Sequence, residues 1–210
     1  MSVALSASRD TPKSRRTRAR ILDEAVRVIA HQGYAATTNA AVAEAAGITR
    51  GAMLYHFPTR ESLLEATIGY IQAQRAALFR SATESLPTGG DVTEHAIESY
   101  WELLHRDPFV AFAELEAAAR TDPMIRDLLA PAQAEFDRAQ IGDHFLKMLH
   151  AGAGPRFQAS RDLARFMLEG MARANVTYDR DERVERLLAV IKRATHMLNR
   201  KGGVTDIWPE

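Results

Sequence analysis

The 210-residue sequence predicts an all-α chain in two parts, an amino-terminal three-helix domain built around a helix-turn-helix and a larger helical domain behind it. Three observations predict this. Apolar residues recur at intervals of three and four along nearly the whole chain, the spacing that gathers them on one helix face. Gly, Pro and Ser/Thr punctuate those runs where helices begin and end. Charge is also uneven under a net value of zero: from Arg9 to Arg60, nine Lys or Arg stand against four Asp or Glu, so the remainder carries the compensating acid. A basic end on an acidic body suits a polyanion-binding head with a separate second domain.

In chain order, residues 1–16 are expected to be a flexible basic tail. Thr17 to Gln32 is amphipathic, with Ile21, Leu22, Ala25, Val28 and Ile29 on one stripe, and Gly33 closes it. Thr38 then caps a short helix whose Val42, Ala45 and Ala46 form a small apolar face; Gly47 ends it in the left-handed conformation and Ile48 plugs the turn. Thr49 caps the next segment, where Gly51 and Ala52 leave room for a close-lying phosphate backbone, while Leu54 and Phe57 are expected in the core. Pro58 breaks the chain. Thr59 and Ser62 offer caps for a long helix holding Leu63, Leu64, Ile68, Ile71 and Leu78.

Residues 86–91, LPTGGD, read as a loop. Val92 to His105 and Pro108 to Arg120 read as helices, the second opening on proline. Asp122 to His150 is a helical stretch that Pro131 is expected to kink or split. Residues 151–157, AGAGPRF, are a second loop; no strand precedes it and no GxGxxG is completed, so it is not read as a dinucleotide site. The last two helices carry broad stripes, Leu163, Phe166, Met167, Gly170, Met171 and Ala174 on one, and Val184, Leu187, Leu188, Ile191, Thr195 and Leu198 on the other. On pattern alone these stripes serve the subunit's own core and a second copy equally well, the small residues admitting a close backbone.

Several classes are disfavoured. Cysteine is absent, which removes disulfides and thiolate chemistry. No run of about eighteen apolar residues exists, and the first residues lack the order of a secretion signal, so a cytoplasmic chain without membrane contact is expected. Neither HExxH, nor a His pair at i, i+4, nor GxSxG occurs, so no metal, no cofactor and no enzymatic activity are expected. The acid–histidine neighbours Glu94–His95 and Asp143–His144 are the residual candidates for a helical enzyme.

The segments TRARILDEAVRVIAHQGYAATT, AVAEAAGITRGAMLYHF and PTRESLLEA lie in one unbroken register from Thr17 to about Leu64. They resemble the TetR family of bacterial transcriptional regulators. The resemblance implies a helix-turn-helix DNA-binding domain over 17–58 and a helical effector-binding and dimerisation domain over 59–210. It also implies a homodimer on palindromic double-stranded DNA, and a repressor released by a small, largely apolar effector. A helix-turn-helix regulator controlled by a protein partner is the alternative.

Within that frame, Thr49, Arg50, Gly51, Ala52 and Met53 occupy the first turns of the recognition helix. Arg50 suits a bidentate contact to guanine and Ala52 a thymine methyl, while Thr38, Tyr55 and His56 suit phosphates. By resemblance, Arg60 stands where relatives carry a phosphate-binding lysine, and Ala40 stands where many carry a basic residue. The resemblance also implies that the last two helices form a four-helix interface through Phe166, Gly170, Ala174, Val184, Leu187, Leu188, Ile191, Thr195 and Leu198. The central helices would enclose an effector cavity bearing Trp101, His105, Phe109, Phe112, Met124, Phe136, Phe145 and Met167, with Glu98 and Glu114 as polar groups.

Overall fold

A computed structural model describes residues 11–85, 92–140, 155–174 and 182–199, and every regular element among them is an α-helix. Helix α1, Pro12–Gln32, begins earlier than Thr17. The Thr11 hydroxyl accepts the Ser14 amide at 3.2 Å and Pro12 supplies a backbone already set for the first turn. Residues 12–16 of the expected tail are therefore helical, and residues 1–10 lie outside the described residues. Gly33 closes the helix at φ +85°.

Helix α2, Asn39–Ala45, is capped by the Thr38 hydroxyl on the Ala41 amide. Gly47, at φ +59°, lets its own amide reach Glu44 and that of Ile48 reach the Ala43 carbonyl, both at 3.0 Å. That pair of bonds is a Schellman closure, and a side chain at position 47 would strain it. Helix α3, Arg50–His56, follows directly, with the Thr49 hydroxyl capping Ala52. Helix α4, Arg60–Glu84, opens with reciprocal bonds between Thr59 and Ser62.

Four or more turns each are made by α7, Pro123–Gln140, α8, Pro155–Ala174, and α9, Glu182–Asn199, preceded by the shorter α5, Val92–Leu103, and α6, Asp107–Ala119. Helix α7 runs on through Pro131 rather than splitting there. Residues 155–157 of the expected second loop begin α8, whereas residues 86–91, 141–154 and 175–181 fall outside the described residues.

The chain divides into two compact units, Met1–Ala73 with Val110–Ala132, and Gln74–Phe109 with Gln133–Glu210. In the first unit, α1 is apolar on two sides. One side, Ile21, Leu22, Ala25 and Val28, packs with Val42 and Ala43 of α2, Ala46 just past its end, Met53 of α3, Phe57 and Leu63. The other, Val26 and Ile29, packs with Leu64, Ile68 and Ile71 of α4, Ala111, Phe112 and Leu115 of α6, and Ile125 and Leu129 of α7. Truncating any of the fully buried Ile or Leu side chains to Ala would cost about 2 to 5 kcal/mol.

In the second unit, α8 and α9 pack along one another and both contact α5. Its core joins Ile97, Tyr100, Leu103, Phe109, Phe136, Ala164, Leu168 and Ile191. A polar chain threads that core. The Arg75 guanidinium lies over the rings of Phe136 and Phe109, 4.1 and 5.0 Å from their centres, and donates to Gln133 at 3.2 Å. Gln133 donates to Asp137 at 2.8 Å, which also takes Arg165 at 2.6 Å; Arg165 in turn bonds Glu169 at 2.8 Å, the acceptor of the Tyr100 hydroxyl. Burial opposes the charge on Arg165, yet the Glu169 bond and the carboxylates outweigh it and hold its pKa above the ordinary value. Burial, reinforced by the Glu169 charge, raises that of Tyr100.

Candidate nucleic-acid interface

Helix α3 presents a hydrophilic, exposed face beside a fully buried one. Met53 is 1% exposed and Phe57 1%, one turn apart, and they lock α3 onto α1 and α2. This corrects two expectations. Met53, expected to reach DNA, is a core residue, and Leu54, expected in the core, is 40% exposed. The register turns by one residue because Met53 shares its face with Phe57 (i, i+4), while Leu54 lies about 100° further round.

Thr38, Thr49, Arg50, Gly51 and Tyr55 are exposed, with Ala52 and His56 half-buried beside them. Tyr55 is 66% exposed, its ring meeting that of His56 edge-on at 5.1 Å. The hydroxyl oxygens of Thr38 and Thr49 are occupied as caps, which leaves each O–H proton able to donate outward. An open groove of about 670 Å³ runs between α2, α3 and the turn into α4, bordered by Thr38, Ala40, Glu44, Arg50, Leu54 and Thr59. The site therefore has donors at two helix starts, the exposed guanidinium of Arg50 and an open groove with Ala40 on its border.

Two residues not anticipated from the sequence set the angle of α3. Arg18 donates to the His56 carbonyl at 3.4 Å and stacks on Phe57 at 4.3 Å; Asn39 donates to the Phe57 carbonyl at 2.8 Å. These occupy carbonyls that the end of α3 would leave unpaired. Their partners lie 38 and 18 residues away, so no local pattern announces them.

Arg60 is engaged differently from the phosphate contact expected of it. Its Nε donates to the Thr37 carbonyl at 2.8 Å, Nη2 to the Tyr34 carbonyl at 3.0 Å and Nη1 to the Tyr34 hydroxyl at 3.3 Å, with the guanidinium 4.5 Å from the Tyr34 ring centre. The Tyr34 hydroxyl donates to Asp122 at 2.6 Å, and Asp122 caps α7 through the amides of Met124 and Ile125. The Tyr34 bond holds the Asp122 carboxyl below its usual range, while burial and that same bond raise the tyrosine.

The expected cavity residues do not form one cluster. Phe109 and Phe136 are buried together, ring centres 6.4 Å apart, with Trp101 half-buried on the same core and His105 exposed beside it. Phe112 and Met124 instead belong to the core of the first unit. Met167 is 37% exposed, and Phe145 lies outside the described residues. Glu98 is exposed and pairs with Lys192, and Glu114 is exposed as well.

Of the residues expected at a subunit interface, Phe166, Gly170, Ala174 and Leu187 are exposed, and Val184, Leu188 and Leu198 are half-buried. Ile191 and Thr195, at 1% and 7% exposure, belong to the subunit's own interior. The stripe on α9 is broader than one contact face, and its inward half meets the core of α5 and α8. Leu163, Val190 and Met197, 49%, 54% and 53% exposed, extend the outward half.

No helix among the described residues is long and apolar enough to cross a membrane. The family model for bacterial regulatory proteins of the tetR family matches residues 21–67, the segment from mid-α1 to the first turns of α4. The regulator CymR of Pseudomonas putida is 31% identical over 133 residues, which cover 63% of this chain and 65% of CymR. The chain thus spans less than two thirds of the length of the curated relatives it matches. Among solved structures, a TetR family member from Streptomyces coelicolor superposes with a TM-score of 0.64 at 20% identity, over 88% of this chain and 99% of its own. The multidrug-binding protein EbrR, in complex with ethidium, does so at 0.58 and 24% identity, over 85% and 97%. Residues 21–67 thus match the tetR family of bacterial regulatory proteins, and the helices of the chain share the fold of TetR family structures.

Proposed function

We propose that the protein is a dimeric transcriptional regulator that inserts α3 of each subunit into the major groove of a near-palindromic operator and represses until a small, largely apolar molecule releases it. The observation that carries this is the exposed face of α3, where Arg50 and Tyr55 project from a helix pinned by Met53, Phe57, Arg18 and Asn39. A rigid mount is what base readout needs, since a guanidinium must meet guanine O6 and N7 in a fixed plane. Tyr55 and the Thr38 hydroxyl serve phosphates and set the register.

One such helix makes few base contacts, so selectivity comes from two copies about 34 to 36 Å apart, or a multiple of that. The exposed apolar residues Leu163 and Phe166 of α8 and Leu187 and Val190 of α9 support pairing through these helices. Effector control rests on linkage: a ligand shifts the dimer only as far as it prefers the arrangement that does not fit DNA. EbrR, a relative in fold, binds ethidium, and the aromatic core around Trp101, Phe109 and Phe136 is where this chain would receive a comparable apolar guest.

Selection of bound fragments from the source genome, followed by gel retardation, tests the reading. Arg50→Ala should cost about 1 to 3 kcal/mol on the selected site and relax preference at one position per half-site. Uniform loss on all sequences would move Arg50 to the phosphates. Failure to retain any fragment would overturn the function.

A further inference from the structure

The amino-terminal turns of α1 carry Lys13, Arg15, Arg16, Arg18 and Arg20 without an acidic residue among them. Of these, Arg18 is tied to the last turn of α3. Lys13, Arg15, Arg16 and Arg20 are exposed, and none of them makes an ion pair with a described residue. This arrangement is costly in isolation. Lys13 and Arg16 stand at i, i+3 and Arg16 and Arg20 at i, i+4, spacings at which like charges repel, and cations near a helix start oppose the helix dipole. The segment is helical nonetheless, because Thr11 and Pro12 begin the helix and Arg18 anchors it. Salt screens such an exposed, self-repelling basic rod in part, and an external polyanion relieves it further by releasing its own counterions.

Its position selects the polyanion. The Arg18 contact sets this rod against the carboxyl end of α3, and Lys13, Arg15 and Arg16 lie within about 8 Å of Arg18 along the helix axis. At the same time α2 carries Ala40, not a cation, and the groove beside it is bordered by Glu44. We propose that Lys13, Arg15 and Arg16 form a second, sequence-independent DNA contact, neutralising backbone phosphates that flank the groove entered by α3. This rests on the DNA-binding reading and extends it from α3 to the start of α1.

The test compares wild-type protein with the triple variant Lys13→Gln, Arg15→Gln, Arg16→Gln, in which glutamine keeps the helix propensity and circular dichroism checks that it is retained. Affinity for the selected operator and for a random duplex is measured across a salt series. The proposal expects the plot of log affinity against log salt to become shallower by about 0.9 for each phosphate that is no longer neutralised, up to about 5 for a dimer, with the ratio of operator to random affinity unchanged. It also expects the wild type, and not the variant, to weaken when the duplex is trimmed flush with the outer operator bases. A control, Arg120→Gln with Arg126→Gln, removes charge elsewhere and should leave the slope alone. Equal slopes for wild type and triple variant, or an equal drop in the control, overturn the basic-rod contact while the α3 reading stands. A wild type without affinity for any duplex overturns both.

Discussion

Replacing Arg60 separates two roles that the same residue type fills in helix-turn-helix proteins. In Arg60→Met the aliphatic stem survives and the guanidinium fork is removed. The bonds to the Thr37 and Tyr34 carbonyls, at 2.8 and 3.0 Å, are charge-assisted and contribute about 1.5 to 3 kcal/mol each, and the stacking on Tyr34 about 0.5 to 1 kcal/mol. Because Arg60 is only half-buried, the lower ends of these ranges apply, giving a loss of about 3.5 kcal/mol. With a urea slope of about 2 kcal/mol per molar, the midpoint falls by about 1.8 M, measured at fixed protein concentration because the stability of the proposed dimer depends on it. The salt dependence of DNA binding should stay as in wild type. Arg60→Lys sharpens the test, since an ammonium keeps the charge but cannot span two carbonyls and a ring face. A stable Arg60→Met variant whose salt slope drops by about 0.9 per subunit, rescued by lysine, would refute the internal role and return Arg60 to the phosphate backbone.

Other outcomes follow from the same geometry. Phe166→Asp with Val190→Asp should give a folded monomer with poor operator affinity, because both side chains are more than half exposed in the isolated subunit; dimers persisting in light scattering would refute that interface. Arg165→Met leaves the partly exposed Asp137 and the more buried Glu169 without their shared cation and should cost about 2 to 3 kcal/mol in urea unfolding, whereas a loss under about 1 kcal/mol would show the network to be dispensable. Asp122 has a depressed folded pKa, so its contribution is present above the unfolded carboxyl value and is lost as pH falls through the folded one. Asp122→Asn should therefore flatten the acid side of the stability profile below about pH 5; an unchanged acid limb would contradict this.

The head of the molecule is legible in the sequence because its signals are local. Thr38, Gly47, Thr49 and the Thr59–Ser62 pair each announce a helix start or stop within a few residues of where it occurs. The Thr11–Pro12 start of α1 is equally local, but the surrounding charges read as a solvated tail. Helical phase is harder: in a seven-residue helix both Met53 and Leu54 fit an apolar face, and only packing against Phe57 decides between them. On α9 a stripe wider than one face does not tell Ile191 from Val190, which lie on opposite sides of burial. What joins distant segments has no signature at all. Arg18 on His56, Arg60 on Thr37 and Tyr34 on Asp122 are choices made by the folded chain, as is the assignment of Phe112 to one core and Phe109 to another.

The chain of polar groups from Arg75 to Tyr100 bears on how this protein can diversify. Oily side chains in a core trade shapes with one another at modest cost, so Trp101, Leu104 and Phe79 tolerate exchange for other apolar side chains of similar volume. Matched donors and acceptors have no such latitude, since removing one member strands its neighbours away from water. Under the effector control proposed above, selection for a new inducer, in nature or in a biosensor screen, should therefore accumulate changes among the aromatic residues while the polar ladder is inherited intact.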